Sequence, residues 1–315
     1  MKLAAAALVL FAGTARADSP VARPEAIEVD REAPPPGRAE LGFDGGAPVG
    51  AWAASVQLGY LDQPITLATP SLAIHPIEHR ETAALGGAYT LGERLVLDAR
   101  MPLAHQVGVR LAGVGDPAPL ARWVLGDLAL GARVRIASTD TVQAFARVEV
   151  TVPTGDDDQF AGEAKWTYAS SLIGRLTLGR VVVAATGGIL VRDAEVQVGN
   201  RVVGDELEGG LGAVVALPPI AGLWCDRNPL RVTGELVAEL ADHSPGVLGA
   251  SPAEARLGFV GHPIPSLAVA VRGGVGLDDQ IGSPRFRVTL EFAWQAPAPP
   301  PAPSPAPTVD DEQED

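Results

Sequence analysis

The stretch that most constrains this chain runs from Gly126 to Gly155. Alternate residues Leu128, Leu130, Ala132, Val134 and Ile136 are apolar, and between them stand Asp127, Ala129, Gly131, Arg133 and Arg135. After a short polar turn, Ser138-Thr139-Asp140, the alternation resumes. Val142, Ala144, Ala146, Val148, Val150 and Val152 fall on one face, and Gln143, Phe145, Arg147, Glu149 and Thr151 on the other. Successive side chains of a strand point to opposite faces, so this pattern predicts a long antiparallel hairpin. Each arm is longer than the usual strand of about 5–6 residues. One face carries no charge, while the other offers arginine and glutamate for cross-strand pairing. A soluble sandwich would turn the charged face to water. A membrane barrel would turn the oily face to lipid and enclose the charges. The hairpin alone does not separate the two.

The rest of the chain repeats the pattern. Strand candidates run over Gly50–Tyr60, Glu81–Leu91, Arg94–Leu103, the two hairpin arms, Ala164–Leu178, Arg180–Val191, Asp205–Leu217, Leu230–Leu240, Pro252–Val260, Ser266–Leu277 and Arg285–Gln295. That predicts an all-β fold, a transmembrane antiparallel up-and-down β-barrel of about 12 strands, an even number within the range of bacterial barrels. Connections alternate between tight turns (Gly92-Glu93, Ser138 to Asp140, the Gly179 corner, His262 to Pro265) and longer Gly/Pro/Asp-rich loops. Such alternation matches periplasmic turns and external loops. The joint Pro218–Pro229, which contains Cys225, is long where a short turn is expected. Trp52, Tyr60, Tyr89, Trp166, Tyr168, Phe292 and Trp294 sit near strand ends on the apolar face, as interfacial girdles do, although a sandwich core would also use aromatics.

Composition supports an apolar exterior. The chain of 315 residues is 47% hydrophobic and has 36 glycines, with a mean hydropathy of +0.17, yet shows few helical patterns. Residues 1–17 read as a cleavable signal peptide: Lys2, an apolar core from Leu3 to Phe11, and Ala15-Arg16-Ala17 before Asp18. Removing Lys2 and Arg16 takes the formal charge from −14 to −16, which disfavours nucleic acid as a partner. The single Cys225 forms no internal disulfide. Residues 18–46 are polar and Pro-rich and predict a loose, flexible periplasmic leader; 47–295 form the barrel; 296–315 are a Pro/Ala-rich linker with an acidic tail.

Catalytic, cofactor-binding and metal-binding residues are not expected. His75, His79, His105, His243 and His262 all fall in expected loops or turns, and Pro76 argues against a helix aligning His75 with His79. With no histidine on a strand face, a barrel hydrolase finds no base. Asp156-Asp157-Asp158 reads as a solvated acidic loop rather than a Ca²⁺ loop. The expected lumen-lining residues are Arg94, Arg100, Arg133, Arg135, Arg147, Glu149, Lys165, Arg175, Arg285 and Arg287 on strands three to six and twelve, with Glu206, Glu208, Glu235 and Glu239 on strands eight and nine. A basic wall facing an acidic wall would set a transverse field suited to a polar-solute channel. The alternative is a plugged barrel whose charges pair in buried networks.

Pro153-Thr154-Gly155, Phe160-Ala161-Gly162, the run Gly282 to Val288 and the Pro-rich segment after Trp294 carry a resemblance. In these the chain resembles the barrel half of OmpA-like outer-membrane proteins of the myxobacterial type, over about residues 50–307. In that family the linker leads to acidic repeats and a peptidoglycan-binding domain. Here the sequence ends at Asp315, and that role is not carried over. The expected protein is an outer-membrane barrel, structural or a narrow passive channel for small polar solutes, and not an enzyme. The alternatives are a surface-exposed adhesion barrel without conductance and a secreted soluble β-sandwich. Its expected partners are outer-membrane lipid, the barrel-assembly machinery, periplasmic chaperones and, through the tail, the cell wall.

Overall fold

Period-two alternation becomes seventeen strands in the computed structural model, which describes residues 25–30, 41, 52–69, 72–92, 94–111, 118–198, 201–218, 230–241, 252–278 and 281–296. In chain order they are β1 (Trp52–Asp62), β2 (Leu67–Thr69), β3 (Leu72–Ile74), β4 (Ile77–Leu91), β5 (Leu95–Gly108), β6 (Trp123–Leu125), β7 (Leu128–Ser138), β8 (Val142–Val152), β9 (Thr167–Leu178), β10 (Val181–Arg192), β11 (Val196–Val198), β12 (Arg201–Val203), β13 (Glu206–Ala216), β14 (Arg231–Ala241), β15 (Ala253–Ile264), β16 (Leu267–Gly276) and β17 (Phe286–Gln295). The twelve long strands each pair antiparallel with the next in sequence, and β1 pairs β17 from Ala53↔Gln295 to Asp62↔Phe286. The sheet therefore closes on itself and leaves no long unpaired edge. This is the expected up-and-down barrel of twelve strands.

Turn chemistry sets the two ends apart. β9 and β10 join through Gly179-Arg180, with Leu178↔Val181 as the last pair and Gly179 at φ +61°. That left-handed conformation suits a two-residue hairpin turn and favours glycine. Thr139 Oγ1 accepts from Val142 N at 2.9 Å and closes the β7–β8 turn. These turns and both ends of the barrel share one rim. The other rim carries the long connections, including the short hairpins β2–β3 and β11–β12. The long joint 219–229, with Cys225, lies outside the described residues, as do the signal segment and the tail beyond Ala296.

The faces sort as a membrane requires. Val134 and Val148 are each 43% exposed on the outside, whereas Arg133, one residue away, is 1% exposed on the inside. Trp52, Tyr89 and Trp294 point outward at the short-turn rim, and Trp123 and Trp166 at the other. Tyr60 stacks on Phe286 at 5.5 Å on the long-loop side, and Phe292 on Trp294 at 6.3 Å on the short-turn side. Two aromatic girdles thus bracket an aliphatic band.

Of residues 18–46, expected to be a loose periplasmic leader, the structure describes 25–30 and 41, and these lie against the barrel. Glu25 and Ala26 are fully buried, and Ile27 and Val29 nearly so. They pack with Ile65, Ile77, Leu120, Phe160, Val196 and Val198 in an apolar core at the long-loop rim. Leu41 is fully buried near the opposite rim against Ala184 and Val214, both inward-facing. The leader therefore contacts the barrel from inside at both ends. Its apolar residues are too few for a helical or strand pattern to reveal this; only the closed barrel creates the cavity that buries them.

Candidate functional site

The enclosed surface is the candidate site, and strand parity decides which side chains reach it. On the wall formed by β5 to β9, Arg100, Arg133, Arg135, Arg147 and Arg175 face inward with Asp98 and Glu149. On the wall from β13 to β17, Glu206, Glu208, Glu235, Glu254 and Glu291 face inward with Arg231, Arg256, Arg272 and Arg287. Among the described side chains the first wall is predominantly basic, five arginines against two acids. The second is nearly balanced as a whole, while its strands β13 and β14, where the acidic wall is expected, turn Glu206, Glu208 and Glu235 inward with Arg231. Its arginines sit directly beside its glutamates.

The charges close into ion pairs within a strand and across one or two strand spacings. Arg147 binds Asp98 with both terminal nitrogens at 3.0 Å, a fork-to-fork geometry, and also contacts Glu149. Arg100 lies 3.7 Å from Glu149. Arg133 is in register with Arg147, a like-charge pairing that would repel. The conflict is relieved because Arg147 turns to the two acids, while the Arg133 guanidinium lies over the Phe145 ring at 5.8 Å. On the opposite wall Arg272 bridges Glu291 at 2.9 Å and Glu235 at 3.3 Å, and Glu254 holds Arg256 at 2.9 Å and Arg287 at 3.1 Å. Burying such charges is tolerated only with partners this close.

Three of the expected lumen residues lie elsewhere. Arg94 is exposed in the turn before β5, and Lys165 is exposed in the loop before β9. Arg285 precedes β17, is 68% exposed and pairs with Asp62 at 2.8 Å on the rim. Each lies at a strand end, where the alternation still holds but the cavity does not extend. The Glu239 side chain lies outside the described residues. Conversely, Arg80 and Arg192 belong to the lumen and were missed. β4 begins at Ile77, four residues before the alternation predicts, and β10 continues to Arg192. Arg192 then meets Glu206 at 2.9 Å and Glu163 at 3.5 Å. Extending period-two parity into each strand's polar end would have found both.

The histidines also need correction. His79 lies in β4, His105 in β5 and His262 in β15, not in loops. His79 stacks on Tyr60 at 6.1 Å, and His105 packs on Trp123 at 4.9 Å and faces Glu81 at 3.6 Å, all outside the barrel. Of the aspartate triplet, Asp156 accepts from Leu125 N and Asp158 pairs with Arg110 at 3.1 Å.

At the long-loop mouth the leader meets this wall. Glu28 pairs with Arg80 at 3.1 Å and forms an antiparallel bridge with Ala161, while Phe160 N donates to Glu25 O at 3.0 Å. Asp30 pairs with Arg287 at 2.6 Å. Burial pushes the Asp30 carboxyl up, but Arg287 and Arg80 outweigh it and hold it below the ordinary carboxylate range. Beside them Asp127 accepts from Thr154, Gly155 and Glu163 backbone N–H groups at 2.7–2.9 Å. Burial still raises its pKa against those hydrogen bonds, and the neighbouring Glu163 charge adds to the rise. A Cβ on Gly155 would overlap the Ala161 carbonyl, so the Pro153-Thr154-Gly155 and Phe160-Ala161-Gly162 motifs meet here by close backbone approach.

No protein-family model matches the chain, and no curated protein matches it. Solved structures do. The COG4313 outer membrane channel from Pseudomonas putida F1 superposes with a TM-score of 0.53 at 16% identity, covering 79% of this chain and 96% of that one. The NanC porin gives a TM-score of 0.50 at 6% identity, covering 77% of this chain and 100% of that one. At these identities the likeness concerns the fold, and that fold is the outer-membrane β-barrel.

Proposed function

We propose that this chain resides in the outer membrane, with its short turns toward the periplasm, and acts as a narrow passive channel for small polar solutes. The observation that carries this is the inversion of a soluble protein's polarity: an uncharged aliphatic band outside and a ring of ion pairs inside. The comparison structures described as a channel and a porin agree with it. A paired, charge-rich lining passes small polar solutes while lipid-facing residues exclude them. The reading assigns transport rather than catalysis. Export by the signal peptide, handling by periplasmic chaperones and the assembly machinery, and cell-wall contact through the tail complete it, as does kinship to the OmpA-like type.

A second reading, a structural barrel without conductance, draws on the filled interior, where Arg80, Gln106 and Arg133 are almost wholly buried. Planar-bilayer recording separates the two. Discrete current steps whose ion selectivity shifts with R133E plus R135E support the channel. A correctly folded barrel that stays silent under all conditions supports the structural role.

A further inference from the structure

We propose that the long-loop mouth of the lumen is a recognition site for carboxylate-bearing solutes, which the chain's own Glu28 and Asp30 occupy at rest. The inference rests on the channel reading and adds to it the solute class and what holds the pore closed.

The site is a row of three inward side chains. Arg80 on β4 and Arg287 on β17 are both in register with Leu61 on β1. Two strand spacings place their backbones about 9–10 Å apart. All three side chains are at least nine-tenths buried, so the row presents two guanidiniums flanking an apolar floor. That pattern complements a molecule with two carboxylates separated by a short apolar spacer.

The leader presents that chemistry. Glu28 and Asp30 are two residues apart, flanking the bend at Val29, and both carboxylates reach the row. One lands on Arg80 and the other on Arg287. The backbone of the segment is tied to the wall through the Glu28↔Ala161 bridge, the Phe160 N to Glu25 O hydrogen bond and Glu28 N, which donates to the Glu163 carboxylate. Side chains carry the rest of the hold.

Glu28 also uses the arginine incompletely. It takes Arg80 Nη2 with one oxygen, and Arg80 Nη1 donates to Phe160 O at 2.5 Å. Arg80 Nε is buried without a hydrogen-bond partner. A carboxylate entering edge-on could take two guanidinium nitrogens at once, the stronger geometry. On release of the leader, Arg287 keeps Glu254 at 3.1 Å. Arg80 keeps the Phe160 carbonyl and gives up the Glu28 carboxylate. The mouth thus becomes more positive as it opens, which favours an entering anion over a cation. The field that keeps Asp30 ionised despite burial acts in the same sense.

The test uses the full chain in liposomes, with adipate as the dicarboxylate probe and hexane-1,6-diamine as the cation of equal chain length. Folding of each variant is checked by the mobility shift on boiling. E28Q/D30N should raise adipate flux at least about tenfold over wild type, because both charge-assisted hydrogen bonds that hold the leader on Arg80 and Arg287 are weakened. Diamine flux should rise far less, and adding R80Q/R287Q should erase the difference. Because that fourfold variant leaves Glu254 without Arg287 and risks misfolding, a second measurement uses V29C/C225S. Adipate should speed maleimide labelling of residue 29 about tenfold, and the diamine should not.

Opening without preference for adipate overturns the carboxylate site and leaves the channel standing. Equal flux in wild type and E28Q/D30N overturns the leader's part. Silence of every folded variant to both probes removes the channel reading itself.

Discussion

At Gly131 the inner wall has no side chain because the neighbouring ion pair fills the space. A Cβ there would overlap the Asp98 carboxylate and the Arg147 guanidinium, and one on Gly274 would overlap Glu254. Large charged residues fit in this narrow barrel because glycine stands beside them, the small–large alternation of tapered barrels. We expect Gly131→Val to force Arg147 off Asp98 and to destabilise by about 3–5 kcal/mol, the cost of breaking a buried pair. Gly187, where a Cβ meets nothing within 4 Å on the outer face, is the control, and Gly187→Val should be near neutral. Urea unfolding from vesicles compares them, and equal losses would sink the steric argument. Asp30 yields a pH prediction. Its folded pKa lies below the unfolded value, so its stabilisation is fully present above the ordinary value of 3.8 and is lost as pH falls through the lowered one. It is faced by Arg287, Arg80 and Thr82, with Glu254 on the far side of Arg287. Acidification below pH 4 should therefore loosen the leader, seen as faster protease cleavage near residue 30 in folded barrels. D30N should flatten that dependence.

Strands were the most legible level of this protein. Both arms of the hairpin form as the alternation predicts, Leu128–Ser138 and Val142–Val152, because side-chain direction in a strand is local and needs no knowledge of the partner. Closure into a barrel rather than a sandwich was legible only from the sum of twelve such strands, their uncharged face and the alternation of turns and loops. Strand ends were less legible. The lipid-facing pattern stops at the girdle, whereas pairing continues past it in β4, β5 and β15 toward polar residues such as His79, Gln106 and His262. If the outer face does meet hydrocarbon, depth should set the cost of a charge there. Val148→Arg, mid-strand, should cost about 2–4 kcal/mol of folding into vesicles, and Leu178→Arg, at the short-turn rim, about 0–1 kcal/mol. Equal small costs at both positions would place the barrel in water.

At the scale of the molecule, the described residues of the leader, 25–30 and 41, lie against the barrel near both rims. Leu41 packs on Ala184 and Val214 inside one rim, and Ile27 lies in the apolar core at the other. A chain carrying L41C, A184C and C225S should form its disulfide on mild oxidation inside the folded barrel, read as loss of alkylation restored by reductant. Thiols that stay fully reactive would show that residue 41 is not held inside. None of this was readable from residues 18–46, whose proline and charge read as a solvated arm. The candidate site divides in the same way. Which arginines and glutamates face inward followed from parity, as Arg133, Arg147, Glu235 and Arg287 show. Who pairs with whom did not follow: Asp30 and Arg287 lie 257 residues apart in the chain and meet only because β17 closes on β1 and the leader enters the space that closure makes. By itself, then, the sequence determined the strands, their two faces and their number, since each depends on local alternation. The tertiary structure alone decided what fills the lumen and how its charges cancel, because both depend on distances that exist only after the sheet has closed.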